Sequence, residues 1–199
     1  MRWPHSIRKM KSLYKISAVT TIVMMLLFLF DIIAWIVVGP YPVDAKGWFT
    51  LLNDNRLAGL MLLSFATLLG MVLYYLTFLC LYNILRQVNK AYAVLAALFA
   101  FVGLTILLVT HIGYPMVHLS ELYKTAATES QKIFLLAAGE AQIATAVTSI
   151  NISGLLVEGA ALIFSFLMLR STIFGKITAY LGIVGHGLDL THGHRLHRA

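Results

Sequence analysis

The chain has 199 residues, of which 60% are hydrophobic and 12% are charged. Soluble domains carry about 25% charged residues, so the composition indicates an integral membrane protein and excludes an ordinary soluble domain. The formal net charge is +7. No basic stripe interleaved with aromatic residues accompanies it, so the charge indicates membrane topology and contact with anionic headgroups rather than nucleic-acid binding.

Four apolar stretches are long enough, or nearly so, to cross a bilayer. A helix rises about 1.5 Å per residue and needs about 20 apolar residues to cross the hydrocarbon. We place the spans at about 16–39, 57–82, 91–114 and 152–169. Backbone polar groups in lipid must be satisfied within the segment, so the predicted fold class is an all-α helical membrane bundle, with residues 1–199 as one transmembrane domain.

Two further stretches do not fit a count of four spans. Residues 133–150 are moderately apolar, and we expect a helix there that lies at the outer interface or packs against the bundle. The alternative is a fifth span that turns tightly through 151–154. Residues 173–190 start like a span and then become hydrophilic, which predicts a half-span, an interfacial segment or the remnant of a longer region.

The distribution of Lys and Arg predicts the orientation. The short loops on one side carry nine of these residues and those on the other carry four. Basic loops stay in the cytoplasm, so we expect a cytoplasmic N terminus. The nine are Arg2, Arg8, Lys9, Lys11, Lys15, Arg86, Lys90, Arg170 and Lys176, and the four are Lys46, Arg56, Lys124 and Lys132.

Three ionisable residues lie within the predicted spans, namely Asp31, His111 and Glu158. A charge at the centre of a span costs about 2.5–3.5 kcal/mol on insertion scales, so such groups face the bundle interior or water. On the predicted topology all three fall in the outer half. The functional hypothesis is an outer cavity lined by these residues and Trp35, with His111 making it sensitive to pH. The alternative is that the polar residues serve helix packing and that Trp35 and Trp48 belong to the outer aromatic belt.

Small residues at regular spacing predict close helix packing. A small or polar stripe on the fourth span, and a four-residue repeat before it, would let a neighbouring helix approach closely. The candidate packing residues are Ala137, Ala141, Gly154, Gly159, Ala161 and Ser165.

His111, Tyr114 and His118 are spaced to share one helical face, although Pro115 should bend or end the helix there. A metal bound by His111 and His118 is a minor hypothesis, because a seven-residue spacing across a proline is poor ligand geometry. The histidines of the tail, His192, His194 and His197, are read most simply as disordered. We find no motif for a cofactor, and no catalytic residue or other metal ligand is assigned.

Several short motifs carry a resemblance to a known family. They are Gly39-Pro40, Asn53-Asp54-Asn55-Arg56, the run from Leu81 to Arg86, the run from Leu167 to Ser171 and the run from Gly175 to Gly185. Together they resemble the bacterial multi-pass membrane proteins grouped as domain of unknown function 4386. The resemblance implies a bacterial or archaeal plasma membrane. It also implies that this chain is short or divergent at its C terminus, because family members complete the span begun at Ile177 and add another.

Three functional hypotheses remain open at this point. The first is a non-enzymatic bundle in the lipid bilayer that associates with itself or with a membrane partner protein through its Gly and Ala faces. The second is a small transporter or sensor that uses the outer polar residues. The third, with the least support, is an intramembrane enzyme with Asp31, His111 and Glu158 as acid or base.

Overall fold

The computed structural model describes residues 11–193, with side chains for 14–190. This part of the chain forms eight α-helices and no strand. Arg2, Arg8, Lys9, His194 and His197 lie outside the described residues, as does the side chain of His192. The helices are α1 (Lys11–Val38), α2 (Ala45–Asp54), α3 (Arg56–Leu62), α4 (Phe65–Leu85), α5 (Lys90–Val109), α6 (Gly113–Thr125), α7 (Glu129–Arg170) and α8 (Lys176–Gly193).

The predicted all-α membrane class is confirmed. Four helical stretches of the described chain are long and apolar enough to cross a membrane. In the bundle, α1 packs on α4, α4 on α5, α5 on α7 and α7 on α8. The core between α4, α5 and α7 contains Phe78, Leu104 and Phe164. The four stretches are Tyr14–Val38, Arg56–Leu85, Lys90–Thr125 and Glu129–Arg170.

The contact between α5 and α7 depends on small residues. A Cβ atom at Gly103 of α5 would lie 2.7 Å from Val157 Cγ2 and 3.0 Å from the carbonyl oxygen of Ser153 on α7. Ala100 and Ala160 are fully buried in the same core. Helices in lipid associate through van der Waals packing, so small side chains that allow the backbones to approach are what this contact requires.

Residues 133–150 are helical, as predicted, but they belong to the same helix as the fourth span. α7 runs through 42 residues, about 63 Å, which is twice the thickness of the hydrocarbon. The tight turn through 151–154 is wrong, because these residues are helical. Residues 133–150 are therefore not a separate helix. Gly154 costs about 1 kcal/mol in a helix and no proline is present, so nothing local breaks the segment.

A second, smaller core lies at one end of the bundle, where α2, α3, α6 and residues 129–150 of α7 pack together. We call these elements the cap. Trp48, Phe49, Leu52 and Met116 are buried in it. The side chain of Glu140 on α7 accepts a hydrogen bond of 2.7 Å from the backbone N–H of Ala45, at the start of α2. Trp48 is therefore a core residue and not part of an aromatic belt. We call the corresponding end of the bundle the cap end.

The partial span predicted near 173–190 is an 18-residue helix, α8, which returns along α7. A Cβ atom at Gly182 would meet the Ser165 hydroxyl, so the absence of a side chain allows this contact. The opposite side of α8 is apolar and exposed, at Ile177, Leu181 and Val184. α8 is therefore an additional helix of the bundle, shorter and more polar than the four candidate spans.

Candidate functional site

A cavity of about 460 Å³ lies where the cap meets the bundle. Its wall is mostly apolar and combines residues from the cap, from α4, from the end of α5 and from α7. Binding sites for small molecules are commonly of this size and are found at such junctions. The wall includes Tyr41, Trp48, Leu62, Leu63, Ser64, Met71, Leu107, Thr110, His111, Ile112, Ile143, Ala146, Val147 and Ile150.

The second span is broken where it borders the cavity. Between α3 and α4, Ser64 adopts a left-handed conformation with φ 55° and ψ 43°, which costs an L-residue about 1–2 kcal/mol. The Ser64 hydroxyl bonds to the Leu62 carbonyl and does not cap α4. The first N–H groups of α4 have no partner within the helix, and they form its positive end. Irregular backbone at membrane depth is tolerated where it is buried or lines a cavity, as it does here.

The third span is broken at the same level. α5 ends at Val109, and α6 starts at Gly113. The ring of Pro115 would clash with the carbonyl of residue 111 in a continuous helix, so the helix must end before His111. Pro115 itself is accommodated in the first turn of α6. His111 therefore lies in a connector, and the predicted helical face shared by His111, Tyr114 and His118 is wrong.

His111 is held by its neighbours and lines the cavity. The backbone N–H of Gly113 donates a hydrogen bond of 3.1 Å to His111 Nδ1, and the imidazole packs against the Phe65 ring with 5.8 Å between centroids. A neutral imidazole that accepts at Nδ1 carries its proton on Nε2. The Nε2–H group is thus a hydrogen-bond donor of a residue that lines the cavity.

Asp31 lies on α1. Its carboxyl group lies near the side chain of Ser64, at the start of α4. Asp31 Oδ1 is buried and has no hydrogen-bond partner within the described part of the chain. Ser64 lines the cavity, whereas Asp31 does not.

The other two predicted cavity residues lie elsewhere. Trp35 is 48% exposed and is not part of the wall. Glu158 follows Ile150, the last α7 residue of the wall, by eight positions, which places it about 12 Å farther along the helix. There its Oε2 lies 2.6 Å from His186 Nδ1 of α8. The predicted single cavity of four residues is thus not formed, and His111 alone of the four lines the cavity.

The candidate packing residues separate into three kinds. Ala161 and Ser165 are buried, and Ser165 contacts α8. Gly154 and Gly159 have open space where a Cβ would be. Ala137 and Ala141 are exposed on the cap-side half of α7. Ala161 and Ser165 thus contribute to packing within the chain, whereas Ala137 and Ala141 form an exposed surface of small residues.

The sequence missed the partner of Glu158. His186 and Asp189 fall in the hydrophilic part of residues 173–190 and were given no role, yet both lie on α8, and their side-chain ligand atoms come within 4.8 Å of one another and of Glu158. The available signal was the three-residue spacing of His186 and Asp189, which places them on one helical face. His118, in contrast, is exposed on α6, and its hypothetical pairing with His111 around a metal lacks the shared helical face on which it was based.

The cavity is chemically suited to binding. It offers a large apolar wall, aromatic side chains and a few polar groups, including the His111 Nε2–H donor and the hydroxyls of Ser64 and Thr110. Such a site accommodates a molecule with an apolar body and a polar end that accepts hydrogen bonds.

Comparisons with curated proteins and with solved structures find no match. A family model described as Domain of unknown function (DUF4386) matches residues 19–193. The match covers most of the chain and includes nearly all of the eight helices. The chain therefore belongs to the DUF4386 family.

Proposed function

We propose that this protein is a non-enzymatic membrane protein that binds a small amphipathic molecule in the cavity at the cap end, as a sensor or a small transporter. The cavity lined by two helix breaks is the observation that carries the proposal. Discontinuous helices form the binding sites of many transporters, because their free helix ends supply polar groups at membrane depth. An enzymatic role has less support, because Glu158 lies apart from Asp31 and His111.

The polar groups of the cavity suggest which end of the molecule they bind. His111 Nε2–H is a donor, and the N-terminal turn of α4 favours a partial or full negative charge. Asp31 lies near the same turn, and its carboxylate form opposes a full anionic charge. We therefore expect the polar end to be a neutral acceptor, such as a hydroxyl or carbonyl oxygen, in preference to a carboxylate.

Trp48 provides a built-in reporter for this proposal, because it lines the cavity and is only 4% exposed. The experiment uses the W3F/W35F variant, in which Trp48 is the single tryptophan, purified in detergent. The probes are 11-bromo-1-undecanol and 11-bromoundecanoic acid, whose bromine quenches tryptophan on contact. We expect saturable quenching by both probes, with the alcohol binding more tightly.

Two substitutions on α7 form a matched pair. Ala146→Leu adds volume inside the cavity, whereas Ala144→Leu makes the same change on an exposed face. We expect A146L to abolish saturable quenching and A144L to leave it unchanged. His111→Ala should weaken binding by about threefold to tenfold, the value of one hydrogen bond. Equal, unsaturable quenching in all variants would contradict the proposal.

Self-association is a second candidate function, favoured by the exposure of Ala137, Ala141 and Thr145 on one side of α7. These residues repeat every four positions, and such a surface lets a second helix approach closely. A second copy of this chain or another membrane protein is the expected partner. The double variant Ala137→Leu/Ala141→Leu should lower the oligomer mass measured by light scattering. Ala91→Leu, on the exposed face of α5, is the control.

We further propose a location in the plasma membrane of a bacterium, with the N terminus in the cytoplasm and the cap outside. The excess of Lys and Arg at the opposite end of the bundle supports this orientation. Single cysteines at Thr125 in the cap and Ser171 before α8, in a Cys80→Ser background, test it. A membrane-impermeant maleimide should label T125C in intact cells and S171C only after permeabilisation. The reverse pattern would overturn the orientation.

A further inference from the structure

We infer that Glu158, His186 and Asp189 form a binding site for a divalent transition-metal ion such as Zn²⁺, apart from the cavity at the cap end. Each residue contributes one ligand atom, and the three atoms lie within 4.8 Å of one another. We call these residues the hairpin cluster, since they join α7 to α8. A site of this kind goes beyond the binding function proposed above and does not depend on it.

The packing of α8 on α7 creates this arrangement. His186 and Asp189 are three positions apart and share a face of α8, and Glu158 lies opposite on α7. The close contact of Gly182 with Ser165 fixes how the two helices face each other. Rotation of the Glu158 and His186 side chains would open the 2.6 Å contact between them enough to admit an ion.

Charge balance supports a cation at this place. With a neutral imidazole, the two carboxylates leave the hairpin cluster with a charge of −2, and a protonated imidazole leaves −1. Among residues 14–190, no Lys or Arg forms an ion pair with Glu158 or Asp189. Glu158 is only 24% exposed, and an uncompensated charge that is largely buried in a bundle is costly. A divalent ion that replaces the proton between His186 Nδ1 and Glu158 Oε2 makes the hairpin cluster neutral.

The ligand types indicate which metals fit. Imidazole suits Zn²⁺ and other transition metals, whereas Mg²⁺ prefers oxygen ligands and gives up its water reluctantly. Carboxylate and imidazole together match Zn²⁺, for which three protein ligands and an open position are common. Mn²⁺ is the second choice, because carboxylates also suit it.

The test uses the full chain, purified without a polyhistidine tag and with His192, His194 and His197 replaced by Gln, so that the tail contributes no imidazole ligand. Zn²⁺, Mn²⁺ and Mg²⁺ are titrated separately, and bound metal is measured by mass spectrometry of the washed protein. We expect one equivalent of Zn²⁺ per chain, weaker binding of Mn²⁺ and no retained Mg²⁺. Glu158→Gln and His186→Gln should lower Zn²⁺ affinity by at least about tenfold.

Asp189→Asn is the most informative variant, because Asp189 is exposed and takes no part in the Glu158–His186 contact. The helix hairpin therefore persists without its carboxylate, yet we expect D189N to weaken Zn²⁺ binding by at least about tenfold. His118→Gln and Glu129→Gln are the controls and should bind as the parent does. Retention of Zn²⁺ by D189N and E158Q, or no Zn²⁺ in the parent, would overturn the inference and leave a hydrogen bond that joins two helices.

Discussion

The two polar regions of this protein are built in different ways. The cavity at the cap end lies where two spans are interrupted, so free helix ends and connectors contribute to its wall. The hairpin cluster lies on two uninterrupted helices, and only side chains contribute to it. Interruptions create both space and backbone donors, whereas regular helices place side chains close together without leaving a large space between them.

This difference assigns different roles to His111 and His186. His111 accepts a hydrogen bond from a backbone N–H and keeps a donor for the cavity. His186 meets a carboxylate of the neighbouring helix. The first arrangement is suited to an uncharged or weakly polar group of a ligand, and the second to a proton or a cation.

The largest effect is expected from Gly182→Leu. A leucine side chain cannot fit against Ser165, so α8 should detach from α7 and the hairpin cluster should be lost. We expect the free energy of unfolding to fall by about 1–3 kcal/mol, as for other overpacked contacts, and Zn²⁺ binding to disappear. Quenching of Trp48 by the brominated alcohol should remain. Gly185→Leu, where a side chain meets open space, is the matched control.

The next largest effect is expected from substitutions of Ser64, at the break in the second span. The left-handed conformation favours glycine by about 1 kcal/mol or more over residues with a Cβ. We therefore expect Ser64→Gly to be at least 1 kcal/mol more stable than Ser64→Ala, measured by thermal or denaturant unfolding in detergent, with Ser64→Val the least stable. Zn²⁺ binding should be the same in all three. Equal stability of the three variants would contradict the backbone geometry at the break.

Gly113→Ala should weaken ligand binding in the cavity, because it displaces His111. A Cβ atom at this position would lie 2.8 Å from His111 Cε1 and 2.9 Å from Phe65 Cζ, so both rings must shift. We expect the affinity for 11-bromo-1-undecanol to fall by about threefold to tenfold, as for loss of one hydrogen bond. Gly154→Ala, on α7 with no atom within 4 Å of the new Cβ, should bind normally.

The smallest effect is expected at the surface of the cap. Arg56 and Glu121 form an ion pair with 2.7 Å between Nη2 and Oε1, and both side chains are more than half exposed. Exposed pairs contribute about 0.2–1 kcal/mol, so a double-mutant cycle with Arg56→Gln and Glu121→Gln should give a coupling energy in this range. A larger value would contradict the solvent-exposed position of the pair.

Hydrophobic length and polar residues within spans predicted much of this architecture. The spans followed from about 20 apolar residues in a row, and Asp31, His111 and Glu158 were recognised as unusual because charge is costly in lipid. Asn55 precedes α3 and accepts a hydrogen bond of 3.1 Å from the N–H of Ala58, as an Asn at a helix start commonly does. These features depend on local properties that a single sequence displays.

The features that the sequence did not predict depend on tertiary contacts. The local sequence does not show that α7 continues through Asn151. The extended helix is supported by tertiary contacts of Glu140 and Gly139 with α2. Trp48 resembles a belt residue until the cap that buries it is known. The role of His186 is evident only from the packing of α8 on α7, which brings His186 to Glu158. The single outer cavity failed for the same reason, since depth in the bundle depends on where each helix begins and ends.

The most direct test of the binding proposal is titration of the single Trp48 with 11-bromo-1-undecanol in the parent and in Ala146→Leu. Saturable quenching in the parent that A146L removes, while Ala144→Leu and Asp189→Asn retain it, would establish a ligand site at the cap end that is separate from the hairpin cluster. Identical quenching curves for the parent and A146L would show that the cavity binds no such molecule.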